Sequence, residues 1–170
     1  ILNWSPSIVD IISELAVANI GRKGARVVIL ADRDKVEMED EIAAKDPNLH
    51  GMRVIVRSGD PCALNDLAIV NLDTAKSIIV LAPEGDDPDA QVIKTVLAIT
   101  NGPGRRAEPY DIVAEIREAR NAELARTVGG DEVQVVLADD LISRILVQST
   151  RQSGLSAVFS ELLGFEGSEI

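Results

Sequence analysis

The feature that most restricts this chain is the rhythm of its apolar residues. Short runs rich in Val and Ile recur along it, and stretches with apolar residues at helical spacing lie between them. Ala25–Ala31 (ARVVILA), Arg53–Arg57 (RVIVR), Ser77–Ala82 (SIIVLA), Asp111–Ile116 (DIVAEI) and Glu132–Leu137 (EVQVVL) read as strands, and Ile1-Leu2 as the end of another. Near-continuous apolar runs of this length suit parallel strands, which are buried on both faces. The intervening helices are a segment with Ile8, Ile11, Ile12, Leu15 and Ala16 on one face, then Lys35–Lys45, Cys62–Val70, Asp89–Thr100 and Ala122–Val128. Ser5 is the expected N-cap of the first helix, with Pro6 at its first helical position and Gly21 or Gly24 ending it. Asn101–Pro109 is a Gly/Pro/Arg loop.

Strand–helix alternation of this kind predicts an α/β fold: a Rossmann-like, doubly wound, mostly parallel six-stranded sheet with helices on both faces. A (β/α)8 barrel wants eight repeats and about 250 residues, and this chain has 170. After Leu137 the rhythm stops. Asp139–Ser153 and Ser156–Leu163 read as amphipathic helices separated by Gly154, with the tail Gly164–Ile170 behind them. The expected division is therefore residues 1–138 as the α/β domain, its first strand truncated at the N-terminus, and 139–170 as helices for assembly or crossover. Their apolar faces need a surface on another subunit or a following domain. The chain opens on Ile1 rather than Met and reads as a piece cut from a longer one.

Composition narrows the functions. The net charge of −11 argues against binding nucleic acid through phosphates, and four aromatic residues make no stacking platform for single strands. One cysteine forms neither a disulfide framework nor a zinc finger. No apolar run approaches the roughly 20 residues that cross a bilayer, so membrane insertion by these residues is not expected. Cys62 reads as a packed small side chain and His50 as solvated, and Arg105-Arg106 as exposed residues without a specific role.

In a doubly wound sheet, ligands bind at the carboxyl ends of the strands where the strand order reverses. That places the candidate ligand contacts at Asn3, Trp4 and Ser5, at Asp32 and Arg33, at Gly59 and Asp60, and at Ala82 and Pro83. Asp32 ends the second strand, where an acidic side chain accepts hydrogen bonds from ribose hydroxyls; its alternative role is to cap the next helix. The turn after the first strand is Asn-Trp-Ser-Pro-Ser instead of a Gly-rich fingerprint. Trp4 is bulky and Pro6 lacks an N–H, which speaks against a standard extended NAD and leaves room for a smaller nucleotide or anion. Gly59 permits close backbone approach, and Asp60 is a cap for the helix opening at Pro61. Glu84, Asp86, Asp87 and Asp89 form the densest carboxylate cluster, a candidate Ca²⁺ site whose alternative is helix capping.

Together, the segments NWSP, VVILADRD, VRSGDP and NLDTAKSIIVLAPEGDDPDAQVI resemble the RCK (KTN or TrkA-N) regulatory domain of potassium channels and transporters. The Trp-containing turn, the helix DPDAQVIKTVLAI and the ending from ADDLISRILVQS onward are similar to the CASTOR/POLLUX (SYM8) ion-channel group. The resemblance implies a non-enzymatic, ligand-sensing gating domain in the cytoplasm, part of an integral membrane protein. It implies a pore domain and copies of itself, as a homodimer or ring, as partners, and a nucleotide or Ca²⁺ as ligand. Two other readings stand beside it. A Rossmann-type nucleotide-dependent enzyme would need a proton-transfer group in the crevice, with Tyr110 and His50 the candidates apart from carboxylates and lysines. A ligand-free assembly domain would need only the terminal helices.

Overall fold

The computed structural model describes residues 1–152 and 154–164. Helix α1 (Ile8–Ala18) is followed by β1 (Arg26–Ala31), α2 (Lys35–Lys45), β2 (Arg53–Ser58) and α3 (Leu64–Ile69). Then come β3 (Ile78–Val80), α4 (Pro88–Asn101), β4 (Ile112–Ile116), α5 (Ala119–Gly129), β5 (Val133–Leu137), α6 (Ala138–Arg151) and α7 (Leu155–Leu163). All strand pairings are parallel: β1 with β2, β3 with β4, and β4 with β5.

Five strands thus form in two sets, β1-β2 and β3-β4-β5, in place of the expected six. The first apolar pair contributes only isolated bridges, from Leu2 to Leu30 on one side and to Val80 on the other. Its hydrogen bonds are regular: Leu2 N–H donates to Ile79 O at 2.8 Å, and Leu81 N–H to Leu2 O at 3.0 Å. On the other side Leu30 N–H donates to Ile1 O at 3.0 Å and Asn3 N–H to Leu30 O at 2.9 Å. Extended backbone stops there because Asn3 turns into the left-handed region, at φ 67°. The backbone nitrogen of Ile1 donates to Val28 O at 2.7 Å, on the same side as these bonds to Leu30.

Side chains alternate between two apolar clusters. Leu2, Leu30, Ile78, Val80, Ile112 and Ala114 pack beneath Val92, Val96 and Ile99 of α4 and Ala125 of α5. Ile29, Ala31, Val56 and Leu81 pack against Ile8 and Ile12 of α1 and Met38 and Ile42 of α2. This period-two division covers both faces of the sheet with helices, as expected for parallel strands.

Helix ends show where local chemistry overrides sequence expectation. Helix α1 opens at Ile8 behind Ser7, and the hydroxyl of Ser5 meets that of Ser7 at 3.0 Å in place of capping the backbone. The helix ends at Asn19, ahead of both glycines. Helix α2 begins on Asp34, which accepts from Val36 N–H and Glu37 N–H; Asp32 caps nothing. Helix α3 starts only at Leu64, because Asp60 holds Cys62 N–H at 2.8 Å in a separate turn. Helices α6 and α7 have no buried residue. Leu141, Ile142, Leu146, Val158, Leu162 and Leu163 are all exposed. The last residue of the expected Asp139–Ser153 helix and most of the expected tail lie outside the described residues.

Candidate functional site

The carboxyl ends of β1, β2 and β3 and the turn after Leu2 lie along one rim of the sheet, because every pairing among these elements is parallel. Leu2 separates β1 from β3, so the chain winds outward in opposite directions from it. This is the switch point that the sequence directs attention to.

Asn3 is a buried scaffold at this rim. It is 5% exposed, and its amide Nδ2 donates to Leu81 O at 3.0 Å, across to the β3 side. Trp4 is half-buried, and the Arg33 guanidinium lies over its ring, 5.2 Å from the centroid. Arg33 also binds Glu41 Oε2 at 2.7 Å and approaches Glu37 at 3.7 Å. Asp32 is exposed, and its side chain takes no hydrogen bond among the described residues. It is the carboxylate at this rim left open to a ligand on the α2 side.

Gly59 and Asp60 are placed by a residue that sequence reading passed over. Asp66 Oδ2 accepts from Asp60 N–H at 2.8 Å, and a Cβ on Gly59 would stand 3.0 Å from that same oxygen. Glycine here gives the carboxylate room, since any larger residue would make Asp66 shift by a few tenths of an ångström, and Ser58 Oγ ties this loop to Arg33 O at 2.7 Å.

Ala82 is buried and its backbone is fully engaged. Its N–H donates to Glu115 Oε2 at 2.9 Å and its carbonyl accepts from Arg117 Nη2 at 3.1 Å. Both partners come from the end of β4, and their use of Ala82 accounts for the shortness of β3. Pro83 follows, half-buried.

The four carboxylates of the expected cation site are not brought together. Among the described residues, no group of three or more His, Cys, Asp or Glu side chains stands as metal ligands would. Asp89 is 2% exposed and turned inward, accepting from Arg117 N–H at 2.9 Å, Glu118 N–H at 3.0 Å and Asn121 Nδ2 at 2.8 Å. Burial works to raise its pKa, but these donors outweigh it and the carboxyl titrates below its ordinary value. Asp87 caps α4 through Ala90 N–H, whereas Glu84 and Asp86 point to solvent. The sequence signal for Asp89 lay in its spacing: it shares a helix face with Val92, Val96 and Ile99, so a carboxylate there enters the core.

Cys62 Sγ sits 3.5 Å from Thr95 Oγ1, and burial first, then Asp60, push its thiol pKa up. It is not poised as a thiolate. Tyr110 and His50 do not reach the rim. His50 is exposed in the loop before β2. Tyr110 lies at the opposite end of the sheet, where its hydroxyl donates to Asp73 Oδ1 at 2.5 Å.

That opposite end, at the amino ends of β3, β4 and β5, is closed by a polar network. Arg105 binds both oxygens of Glu132, at 2.7 and 2.9 Å, and Thr100 O at 2.6 Å. Arg106 donates to Asp73 O, Ala75 O and Pro109 O, and both guanidinium groups lie over Tyr110 at 5.1 and 4.5 Å. These two arginines, expected to be idle, fasten the 101–110 loop. A cavity of about 240 Å³ adjoins this network, and one of about 590 Å³ opens between α2 and β2. Neither is at the switch-point rim.

Comparison with known proteins decides the family. Residues 3–124 match the family described as the calcium-activated potassium channel slowpoke-like RCK domain. The chain belongs to the RCK domain family. Residues 139–170 match a second description, Castor and Pollux, part of voltage-gated ion channel. This RCK chain is 40% identical to the probable ion channel CASTOR of Oryza sativa subsp. japonica and to the ion channel CASTOR of Lotus japonicus, and 38% to the probable ion channel POLLUX of Arabidopsis thaliana. Each similarity covers 99% of this chain, which spans only 19–20% of the relatives' length. Among the described residues no helix is long and apolar enough to cross a membrane.

Proposed function

We propose that the chain is a ligand-sensing regulatory domain that gates a CASTOR/POLLUX-like ion channel. In this reading residues 1–138 form the sensor, with Leu2 as the centre of the first strand of a six-stranded doubly wound sheet. Residues 139–170 carry the assembly contact with other copies, and the whole acts in the cytoplasm beside a pore domain. The observation that carries the reading is the pairing of two features. A switch-point rim carries the open carboxylate Asp32 beside Gly59-Asp60, and a helix pair exposes Leu141, Ile142, Leu146, Leu162 and Leu163 among the described residues. A ligand moves a gate only through different affinities for two arrangements. A rim divided between two strand sets supplies such a difference, and docked terminal helices transmit it.

Thermal unfolding of the 170-residue protein with ATP, ADP, NAD, Ca²⁺, Mg²⁺ or K⁺, followed by light scattering, tests this. A ligand that binds the native state raises the midpoint, and Asp32→Asn lowers that shift. Midpoints unmoved by every ligand would favour the ligand-free assembly reading, which rests on the same exposed helix pair. Turnover of a dinucleotide would overturn the non-enzymatic reading.

A further inference from the structure

The turn after Leu2 is gripped from the α2 side at two points. Arg33, immediately before α2, lies over the Trp4 ring at 5.2 Å, and Lys45, at the far end of α2, donates to Pro6 O at 3.3 Å. Arg33 is itself held by Glu41 at 2.7 Å and Glu37 at 3.7 Å, about two turns and one turn along the chain. Its backbone carbonyl receives Ser58 Oγ at 2.7 Å. Beneath the grip, Asn3 and Ser5 are buried at 5% and 2% exposure.

We propose that Trp4 and Arg33 form an intramolecular latch between the turn after Leu2 and the start of α2, pinned shut by Glu41, which opens when a ligand at the switch-point rim engages Arg33 or Trp4. The physical case is one of occupancy. In folds of this kind the space over the first helix N-terminus takes a pyrophosphate. Here an indole and a guanidinium from the chain itself stand at its edge, and the guanidinium already has a carboxylate partner. An incoming phosphate competes with Glu41 for Arg33, and an incoming base or sugar displaces Arg33 from Trp4. Either event frees the Arg33 grip and leaves the first turn tied to α2 only through Lys45 and Pro6 O, so the latch couples rim occupancy to the start of α2. The inference stands on these contacts alone and does not require the channel reading.

Trp4 is the chain's single tryptophan, so its fluorescence reports the latch without labelling. The experiment is acrylamide quenching of the 170-residue protein and of Glu41→Gln, Arg33→Met and Asp40→Asn, with circular dichroism confirming the fold. Glu41→Gln removes one charge at a partly exposed position of α2 and keeps the side chain's size. Loss of a charge-assisted contact and a cation–π contact at a half-exposed site should raise the quenching constant about twofold in Glu41→Gln and in Arg33→Met. Asp40, which makes no ion pair among the described residues, serves as the charge control, and its variant should quench like the parent. Quenching unchanged in both latch variants, or raised equally by Asp40→Asn, overturns the latch. The ligand panel above is read separately, so failure of the latch and failure of the sensor reading are told apart.

Discussion

The two ends of the sheet are built on opposite plans. At the amino ends, Arg105, Arg106, Tyr110, Asp73 and Glu132 satisfy one another and the loop backbone in a continuous network. At the carboxyl ends, Asp32, Glu84 and Asp86 face solvent without side-chain partners among the described residues. Polar groups at the first end all serve the fold, whereas at the second Asn3, Asp89, Glu115 and Arg117 serve it and Asp32, Glu84 and Asp86 are left available. The lesson is that charge density alone does not mark a site. The most elaborate cluster of ionisable groups here is structural, and the informative carboxylate is the one that does nothing for the fold.

Two sets of measurements press on that contrast. The larger effect is that of Asp89→Ala, which tests the buried carboxylate of the acidic loop. It leaves Arg117 N–H, Glu118 N–H and Asn121 Nδ2 without their acceptor and should cost roughly 3 kcal/mol by urea unfolding. Because the folded pKa of Asp89 is depressed, its contribution is present above the ordinary aspartate range and disappears as pH falls below it. A loss no larger than that of an exposed substitution would mean that Asp89 is free for a ligand after all.

The smallest effects sharpen the comparison most directly. Tyr110→Phe removes the hydroxyl on Asp73 and should cost about 1 kcal/mol, whereas Asp32→Asn should stay within about 0.5 kcal/mol of the parent. The Tyr110 hydroxyl, through its hydrogen bond, is the main reason that the Asp73 carboxyl titrates below its ordinary value. The phenylalanine variant should accordingly raise the Asp73 pKa in an NMR titration. An Asp32 variant as destabilised as Tyr110→Phe would erase the distinction between the two ends.

Much of the fold was legible because its determinants are local. Lys35–Lys45 was bounded correctly from its charge pattern, and the β-branched runs gave the positions of β1, β2, β4 and β5 to within a residue or so. The first strand was not, since only a long-range pairing shows that Asn3 ends it in a left-handed turn. The candidate rim was legible as a set of strand ends, but its internal wiring was not. Asp66, Glu115 and Arg117 act through backbone groups up to 35 residues away, and the Arg106 contacts span as many as 33. No spacing rule covers such separations. The acidic loop misled for the same reason, since Asp89 is recruited by α5, a segment folded against it from well downstream.

The left-handed turn at Asn3 makes position 3 hard to substitute. Its backbone sits at φ 67° while its side-chain Nδ2 reaches Leu81 O at 3.0 Å, so one residue must both tolerate that conformation and donate across to the β3 side. Glycine would meet the first demand and fail the second, and valine would fail both. The identity of this residue is set by two unrelated requirements at once.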